Sequence, residues 1–110
     1  MKSYNKVQLV GYLGTNPELT EFGQGEVMAR FRMATHTWHR PDEGEAKQNT
    51  TWHTIKIWGR ERAEILCQYA VKGSHVLVEG RIVYSNYKSP EGIEKYSAEI
   101  YAHLMINLDR

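Results

Sequence analysis

One segment, Thr50–Gly59, constrains the fold most, because its side chains alternate with the two-residue period of a β-strand. Ile55 and Ile57 fall on one side together with His53, and β-branched side chains of this kind fill a core. The opposite side carries Trp52, Thr54, Lys56 and Trp58. Burying that lysine between two tryptophans would leave its ammonium without a partner, so we expect this face to be exposed.

The exposed face of this strand is compatible with two kinds of contact. Flat aromatic rings beside a positive charge suit nucleobases beside phosphates, which favours single-stranded nucleic acid as a ligand. The alternative is a half-exposed strand whose large side chains lie at a contact between subunits. The segment by itself does not decide between them.

Length and composition indicate one domain that spans residues 1–110. With 110 residues, of which 41% are apolar, the chain can bury a core without crosslinks. No apolar run reaches the ~18–20 residues of a membrane span, and the N-terminus does not resemble a signal peptide. Cys67 is the single cysteine and excludes a disulfide within the chain, which fits a reducing cytoplasm. The net charge of +1 neither demands nor excludes nucleic acid.

Two strands are predicted before this segment. The first is Lys6–Leu13, after which Asn16-Pro17 breaks the chain and Phe22–Gly25 forms a turn. The second is Val27–Trp38. Its core side takes Ala29, Phe31 and Met33. Its other side takes Arg30, Arg32, Ala34, His36 and Trp38, which again places arginines beside an indole.

A loop and a helix flank the central segment. His39–Gln48 is polar and is predicted to be a long mobile loop that offers Arg40 and Lys47 to a ligand. The helix is predicted at Arg60–Val71, with Gly73 just past its end. One face of this helix is apolar and carries Ala63, Leu66, Cys67 and Ala70.

Two further strands are predicted after the helix. In His75–Tyr87 the core side takes Val76, Val78 and Ile82. The other side takes Leu77, Glu79, Arg81, Val83 and Tyr87. Ser89–Gly92 forms a turn. In Lys95–Leu108 one register takes Tyr96, Ala98, Ile100, Ala102, Leu104 and Ile106.

Three strands, one helix and two strands is the order of the OB-fold, an all-β five-stranded barrel with one α-helix between strands 3 and 4. The motifs are more specific than this order. They read NKVQLVGYLGTNPEL, MATHTW, TTWHTIKIWGR, KGSHVLVEGRI and EKYSAEI. In combination they resemble the bacterial single-stranded DNA-binding protein (SSB) family, from about Tyr4 to Leu108.

The resemblance implies sequence-tolerant binding and protection of single-stranded DNA during replication, recombination or repair. Base stacking is then expected at Trp38, Trp52, Trp58 and Tyr87. Phosphate contacts are expected at Lys47, Arg60 and Lys72 from the resemblance, and at Arg30, Arg32, Lys56 and Arg81 from their strand faces.

The resemblance also implies self-association. His53 follows Trp52 as in the family, where this histidine lies at a subunit contact, and Leu77 is assigned to the same interface. We expect a homotetramer, with a dimer as the alternative. No cofactor, metal ion, membrane contact or catalytic residue is expected, and the protein is expected in the cytoplasm, associated with the nucleoid.

The sequence departs from the family in two places. The fourth-strand hairpin reads VYSNYK, where the family often interleaves several basic residues, so a weaker basic track is expected there. A glycine- and proline-rich linker and an acidic tip are absent from the printed sequence. If the chain is complete, it resembles a short form, such as a paralogue from a mobile element. Such a form would not recruit replication and repair enzymes through a C-terminal tail.

Three other functions compete with this interpretation. An enzyme is disfavoured because His36 and His39 fall on opposite strand faces without a metal-ligand cluster or a carboxylate pair. An OB module for a sugar or a protein is disfavoured because arginines beside tryptophans favour an anionic ligand. The nearest alternative is a dimer similar to primosomal replication protein N, which works in replication restart.

Overall fold

The computed structural model describes residues 2–109. Its six strands are β1 (Val7–Leu13), β2 (Glu18–Glu21), β3 (Val27–His39), β4 (Lys47–Trp58), β5 (His75–Lys88) and β6 (Glu94–Asn107). The helix α1 (Arg60–Tyr69) lies between β4 and β5, and a short 3-10 turn at Gly23–Gly25 precedes β3. Within residues 2–109, no helix is long and apolar enough to cross a membrane.

The strands form one sheet in the order β1-β5-β6-β4-β3-β2, which closes because β1 also pairs with β3. The closing ladder is short and joins Tyr12 to Ala34 and Leu13 to Met33. All pairs are antiparallel except that of β4 with β6. At the closure Gly11 is required, because a Cβ there would collide with the Ala34 carbonyl.

The predicted five-stranded OB barrel with one helix is confirmed. Strands β1 and β2 pair with successive stretches of the same edge of β3, so together they act as one strand broken at 14–17. Strand β2 was not predicted, because three of its four residues, ELTE, are polar, and all four are exposed. The helix therefore follows the fourth strand in the present numbering.

Alternation predicted the core correctly in most strands. The fully buried side chains include Ala29, Phe31 and Met33 of β3, Ile55 of β4, and Val76 and Val78 of β5. Helix α1 adds Ala63 and Leu66, with Cys67 partly buried against the same cluster. Burial raises the pKa of the Cys67 thiol, which suits a packing role. Ala34 was placed on the outer side but is buried, because Tyr12 and Trp52 are its neighbours on β1 and β4.

Two predicted boundaries were wrong. The predicted loop His39–Gln48 is shorter than expected, because β3 and β4 continue their ladder as far as the pair His39 and Lys47. The predicted helix Arg60–Val71 ends at Tyr69, since Ala70 has extended backbone angles. Ala70 nevertheless donates its backbone N–H to the Leu66 carbonyl and is buried.

The single register predicted for the last strand was also wrong. A β-bulge opposite Glu79 and Gly80 inserts His103 between the paired residues Ala102 and Leu104. One extra residue reverses the side-chain alternation beyond it, so Met105 packs on the core while Leu104 and Ile106 are exposed. At the other end of β6, Tyr96 and Ala98 keep the register of Ile100 but lie beyond the barrel and are exposed.

Beyond the barrel the sheet divides into two ribbons. Strands β4 and β6 pair only over Thr54–Lys56 and residues 99–101. From there β3 and β4 continue as one two-stranded ribbon, the Trp38 ribbon, over residues 35–39 and 47–51. Strands β5 and β6 continue as a second, the Tyr87 ribbon, over residues 84–88 and 94–98. Both ribbons leave from the same end of the barrel.

The barrel closure gives a direct test. Replacing Gly11 with alanine is expected to lower the free energy of unfolding by about 1–3 kcal/mol, because the new methyl group must displace the Ala34 carbonyl. The matched control is Gly23→Ala, where a Cβ meets nothing within 4 Å, and a change within about 0.5 kcal/mol is expected. Urea denaturation of both variants measures the difference. Equal stability of the two would contradict the closure as described.

Candidate nucleic-acid interface

The register of the ladders places most of the predicted DNA contacts on one face, the outer face of β3, β4, β6 and β5. Two rows cross all four strands. The first is Arg30, Lys56, Tyr101 and Arg81, and the second is Arg32, Thr54, Glu99 and Val83. Trp58 lies on one side of these rows, and Trp52 lies on the other, next to Ala34. The strands thus bring together indoles and arginines that are distant in sequence.

Trp52 is the most open platform of the barrel itself. Its side chain is 51% exposed, and the Arg32 guanidinium carbon lies 5.3 Å from the ring centroid. The indole lies against Gly14, where any Cβ would collide with it. A half-exposed ring that rests on backbone, with a guanidinium group over it, can accept a stacked base with little loss of freedom.

Trp58 is less exposed than predicted. Its ring stacks on Phe22, with centroids 5.6 Å apart, and meets Tyr101 at 5.9 Å in a tilted arrangement. Its indole N–H is buried and has no hydrogen-bond partner within the described residues. The face was expected to be exposed, but its Trp58 end is partly covered by Phe22, from the turn before β3.

Lys56 is not the free cation that the alternation predicted. Its ammonium lies 2.8 Å from a Glu99 carboxylate oxygen, and both side chains are largely shielded. Ser85 donates a hydrogen bond of 2.8 Å to the other oxygen of Glu99. Burial alone would raise the pKa of Glu99, but the hydrogen bonds from Lys56 and Ser85, together with the positive charges of Lys56 and Arg30, lower that pKa. The sequence argument overlooked a partner on β6.

The remaining stacking residues lie on the two ribbons. Trp38 is 70% exposed and pairs with Gln48 on the Trp38 ribbon. Tyr87 is 53% exposed and pairs with Lys95 on the Tyr87 ribbon. By alternation along their strands, both side chains continue the outer face. The structure therefore places all four predicted stacking residues on this face, two on the barrel and two beyond it.

The predicted phosphate contacts divide into two groups. Arg30, Arg32 and Arg81 are exposed and form no ion pair with any residue from 2 to 109. The Arg81 guanidinium carbon lies 5.3 Å from the Tyr101 ring centroid, as Arg32 does from Trp52. Arg60, in contrast, pairs with Glu21 at 2.8 Å and Glu64 at 3.2 Å. The hydrogen bond to Glu21, followed by that to Glu64, raises the pKa of Arg60.

Lys47 and Lys72 are exposed at the margins of the face. Lys47 lies at the start of β4 on the Trp38 ribbon. Lys72 follows α1, and its backbone N–H donates to the Asn16 side chain at 2.7 Å. This bond ties the turn after α1 to the connection between β1 and β2, near the Gly14 that contacts Trp52.

The two predicted interface residues do not share a surface. His53 lies on the inner side of β4, and its Nε2 lies 2.9 Å from the Thr35 hydroxyl. Burial lowers its pKa. Leu77 lies on the outer side of β5, between Val10 and Ile106 on the neighbouring strands. These three residues form an apolar row, in which Val10 and Ile106 are exposed.

Sequence reasoning missed several aromatic side chains. Tyr101 lies next to Lys56 in the first row. The sequence could have indicated this, because Tyr101 alternates with the buried Ile100 and Ala102 and therefore falls on the outer side. Tyr84 and Tyr96 are each 68% exposed and lie on the side of the Tyr87 ribbon opposite Tyr87. The sequence analysis placed Tyr96 in one register with Ile100 and assigned no role to Tyr84.

Within the described residues, no group of three or more His, Cys, Asp or Glu side chains could hold a metal ion. The histidines have other contacts. The Nδ1 of His36 lies 3.0 Å from the Thr50 hydroxyl, and Tyr12 stacks on His75 with ring centroids 4.6 Å apart.

Taken together, the side chains of the outer face offer rings, guanidinium groups and the shielded carboxylate of Glu99. This arrangement can bind flat groups linked by anions.

Comparison with known proteins supports this interpretation. The sequence profile of the Single-strand binding protein family matches residues 4–108. The chain belongs to this family. It is 38% identical over 104 residues to the Single-stranded DNA-binding protein of Xanthomonas campestris pv. campestris. The match spans 94% of this chain and 60% of that protein, so the chain covers less than two thirds of its relative.

A solved structure from the same family has the same fold. A chain of the Plasmodium falciparum SSB complex with ssDNA superposes with a TM-score of 0.88 at 27% sequence identity. The superposition covers 99% of this chain and 98% of that chain. The resemblance identified from the sequence motifs is thus confirmed at the level of family and fold.

The environments of the two barrel indoles predict different effects on stability. Trp58→Ala removes two ring contacts and is expected to lower the free energy of unfolding by about 1–3 kcal/mol. Trp52→Ala removes a half-exposed ring and is expected to cost less than about 1 kcal/mol. Thermal unfolding of both variants measures this order, and the reverse order would show that Phe22 does not cover Trp58.

Proposed function

We propose that this protein binds single-stranded DNA without strong sequence preference, through the outer face of β3, β4, β6 and β5. One observation carries the proposal: exposed rings share a single continuous face with arginines that form no ion pair with any residue from 2 to 109. Each ring offers a surface to any base, and each guanidinium offers donors to a phosphate. The proposal agrees with the names of the Xanthomonas and Plasmodium relatives.

The structure supports a division of roles within this face. Trp38, Trp52 and Tyr87 would stack on bases, while Trp58 would offer only the part of its ring that Phe22 and Tyr101 leave open. The phosphate contacts would come from Arg30, Arg32, Arg81, Lys47 and Lys72. We leave Lys56 and Arg60 out of this set because each is held in an ion pair. Lys56 would instead hold β4 against β6.

The same geometry favours single strands over duplexes. Bases in a duplex have their faces covered by neighbouring base pairs, so rings on an open sheet cannot stack on them without unpairing. We therefore propose a binding role, without catalysis, for residues 1–110 acting as one domain.

The cellular role is part of the same proposal. We propose protection of single strands during replication, recombination or repair, in the cytoplasm and in association with the nucleoid, and membership of the family supports this role. A primosomal replication protein N-like dimer in replication restart remains the second candidate. The two differ in assembly, because the first is expected to form a homotetramer.

Binding is expected to weaken strongly with salt. Five cationic contacts would give a slope of log K against log salt of roughly −3.5, at about −0.7 per phosphate for single strands. Titration of the intrinsic tryptophan fluorescence with an oligodeoxythymidylate measures it. Duplex of the same length is the control, and equal affinity for duplex and single strand would refute the proposal.

Trp52→Ala should weaken the affinity for single strands by about 1–3 kcal/mol, because it removes one stacking platform. The matched control is Tyr69→Ala, which removes an aromatic ring that is 68% exposed on α1, away from the face. The affinity of this control should equal that of the unmodified protein. Equal losses in the two variants would contradict the assignment of Trp52.

Self-association is proposed to bury the apolar row of Val10, Leu77 and Ile106. This row lies on the outer side of β1, β5 and β6, away from the arginines, and a second copy could cover it in closed symmetry. Because His53 lies on the inner side of β4, it would take part only in a separate contact of a tetramer.

Light scattering is expected to show an assembly larger than a monomer at micromolar concentration. Leu77→Glu and Ile106→Glu should each dissociate it, because both place a charge in the row. Val71→Glu, at a residue 59% exposed outside the row, is the control and should leave the assembly intact. A monomeric unmodified protein would refute the tetramer and the dimer alike, and a dimer would favour the second candidate role.

A further inference from the structure

A groove of about 520 Å³ lies beside Trp58, between the N-terminal segment, α1 and the bulged part of β5 and β6. Side chains that contribute rings or positive charge to it are Tyr4, Lys6, Trp58, Arg62, Arg81 and Tyr101. Pockets of about 300–1,000 Å³ are typical of sites for small molecules. The groove therefore has room for one nucleotide.

The walls of the groove are held in place by the fold. Gly80 packs against the Tyr101 carbonyl, where a Cβ would collide, and the bulge opposite Gly80 bends β6 at His103. The side chain of Asn5 makes two hydrogen bonds to the backbone of Ile82, at 2.8 and 3.0 Å. These bonds fix the N-terminal segment against β5, so Tyr4 and Lys6 form a defined wall.

The free charge in the groove is positive. Its one acidic side chain, Glu79, is already occupied by Lys6 at 3.6 Å, by His103 at 3.3 Å and by Gln8 at 3.1 Å. Arg62 and Arg81 are exposed and form no ion pair with any residue from 2 to 109. Two unpaired guanidinium groups in one groove favour an anion such as a phosphate.

The groove is continuous with the outer face. Tyr101 belongs to both, since it lies beside Lys56 in the first row of the outer face and also lines the groove. Its ring centroid lies 5.3 Å from the Arg81 guanidinium carbon and 5.9 Å from the centroid of Trp58. A DNA strand that crosses the sheet and passes Trp58 would therefore reach the groove next.

We propose that this groove is an additional nucleotide subsite, where one nucleotide of a bound single strand places its base against Tyr101 and its phosphate between Arg62 and Arg81. The subsite rests on the proposed function, because its ligand is part of the strand held on the outer face. It extends that face past Trp58 to α1 and assigns a role to Arg62 and Tyr101.

The test is the dependence of affinity on strand length, measured with oligodeoxythymidylates that grow by one nucleotide at a time. The variants are Arg62→Gln and Tyr101→Leu, the second of which keeps apolar volume against Trp58. Arg62→Gln should bind short strands like the unmodified protein, and for Tyr101→Leu, which also lies on the outer face, the short-strand affinity of the variant itself is the baseline. On strands long enough to reach the groove, Tyr101→Leu should bind roughly fivefold or more weakly, because it loses one stacked base.

Arg62→Gln should also weaken binding of the long strands, and its salt slope there should be smaller by about 0.7, the contribution of one phosphate. The matched control is Lys88→Gln, which removes the same charge from the tip of the Tyr87 ribbon. Because Lys88 does not line the groove, the slope of this control should not change at the strand length at which the slope of Arg62→Gln falls. Thermal unfolding checks that each variant is folded. If Tyr101→Leu is unstable, Arg62→Gln alone decides the test, because Arg62 is exposed on α1 and its replacement should not affect folding.

The outcomes separate the two proposals. Failure of the unmodified protein to bind any single strand would refute the proposed function. Normal binding with Arg62→Gln equal to Lys88→Gln at every length would refute the subsite alone. Thymidine monophosphate should bind the protein only weakly, and tight binding of it without length dependence would show a site for free nucleotides instead. Photocrosslinking of a long strand that contains iododeoxyuridine should label Tyr101 or Tyr4.

Discussion

The short ladder between β1 and β3 is the constraint on which the rest of the structure depends. Only two residue pairs close the barrel, and they can form because Gly11 lets the two backbones approach. Without this contact β1 and β3 would expose free edges, and the sheet would lose the curvature that turns alternate residues inward. Closure therefore sets which side chains form the core, and it leaves their neighbours in sequence, including Arg30 and Arg32, on the outside.

The Lys56–Glu99 pair gives the outer face its charge pattern. It lies where β4 meets β6, the one parallel junction, just before the sheet divides into two ribbons. A buried pair of this kind adds little net stability over apolar side chains, but removing one partner leaves the other charge uncompensated. It also neutralises the middle of the face. The free positive charge is thus left to Arg30 and Arg32 on one side and Arg81 on the other.

The sequence predicts those features that depend on a single strand. The buried Phe31, Ile55 and Val78 follow from alternation, because each lies in an unbroken strand whose one side faces the core. Features that depend on a partner strand were not predictable in this way. The bulge at His103 and the pairing of Lys56 with Glu99 arise only when strands distant in sequence meet, and covering of Trp58 by Phe22 arises from a turn.

The rings of the proposed interface differ in how firmly they are held before any DNA strand binds. Trp58 is fixed between Phe22 and Tyr101, Trp52 rests on Gly14, and Trp38 projects from a two-stranded ribbon. A fixed ring loses little conformational entropy when a base stacks on it, whereas a ring on a ribbon must also be ordered. A strand would therefore be held most firmly over the barrel and more loosely over the ribbons. Since neither kind of contact reads base edges, the strand can shift by one nucleotide and find equivalent contacts.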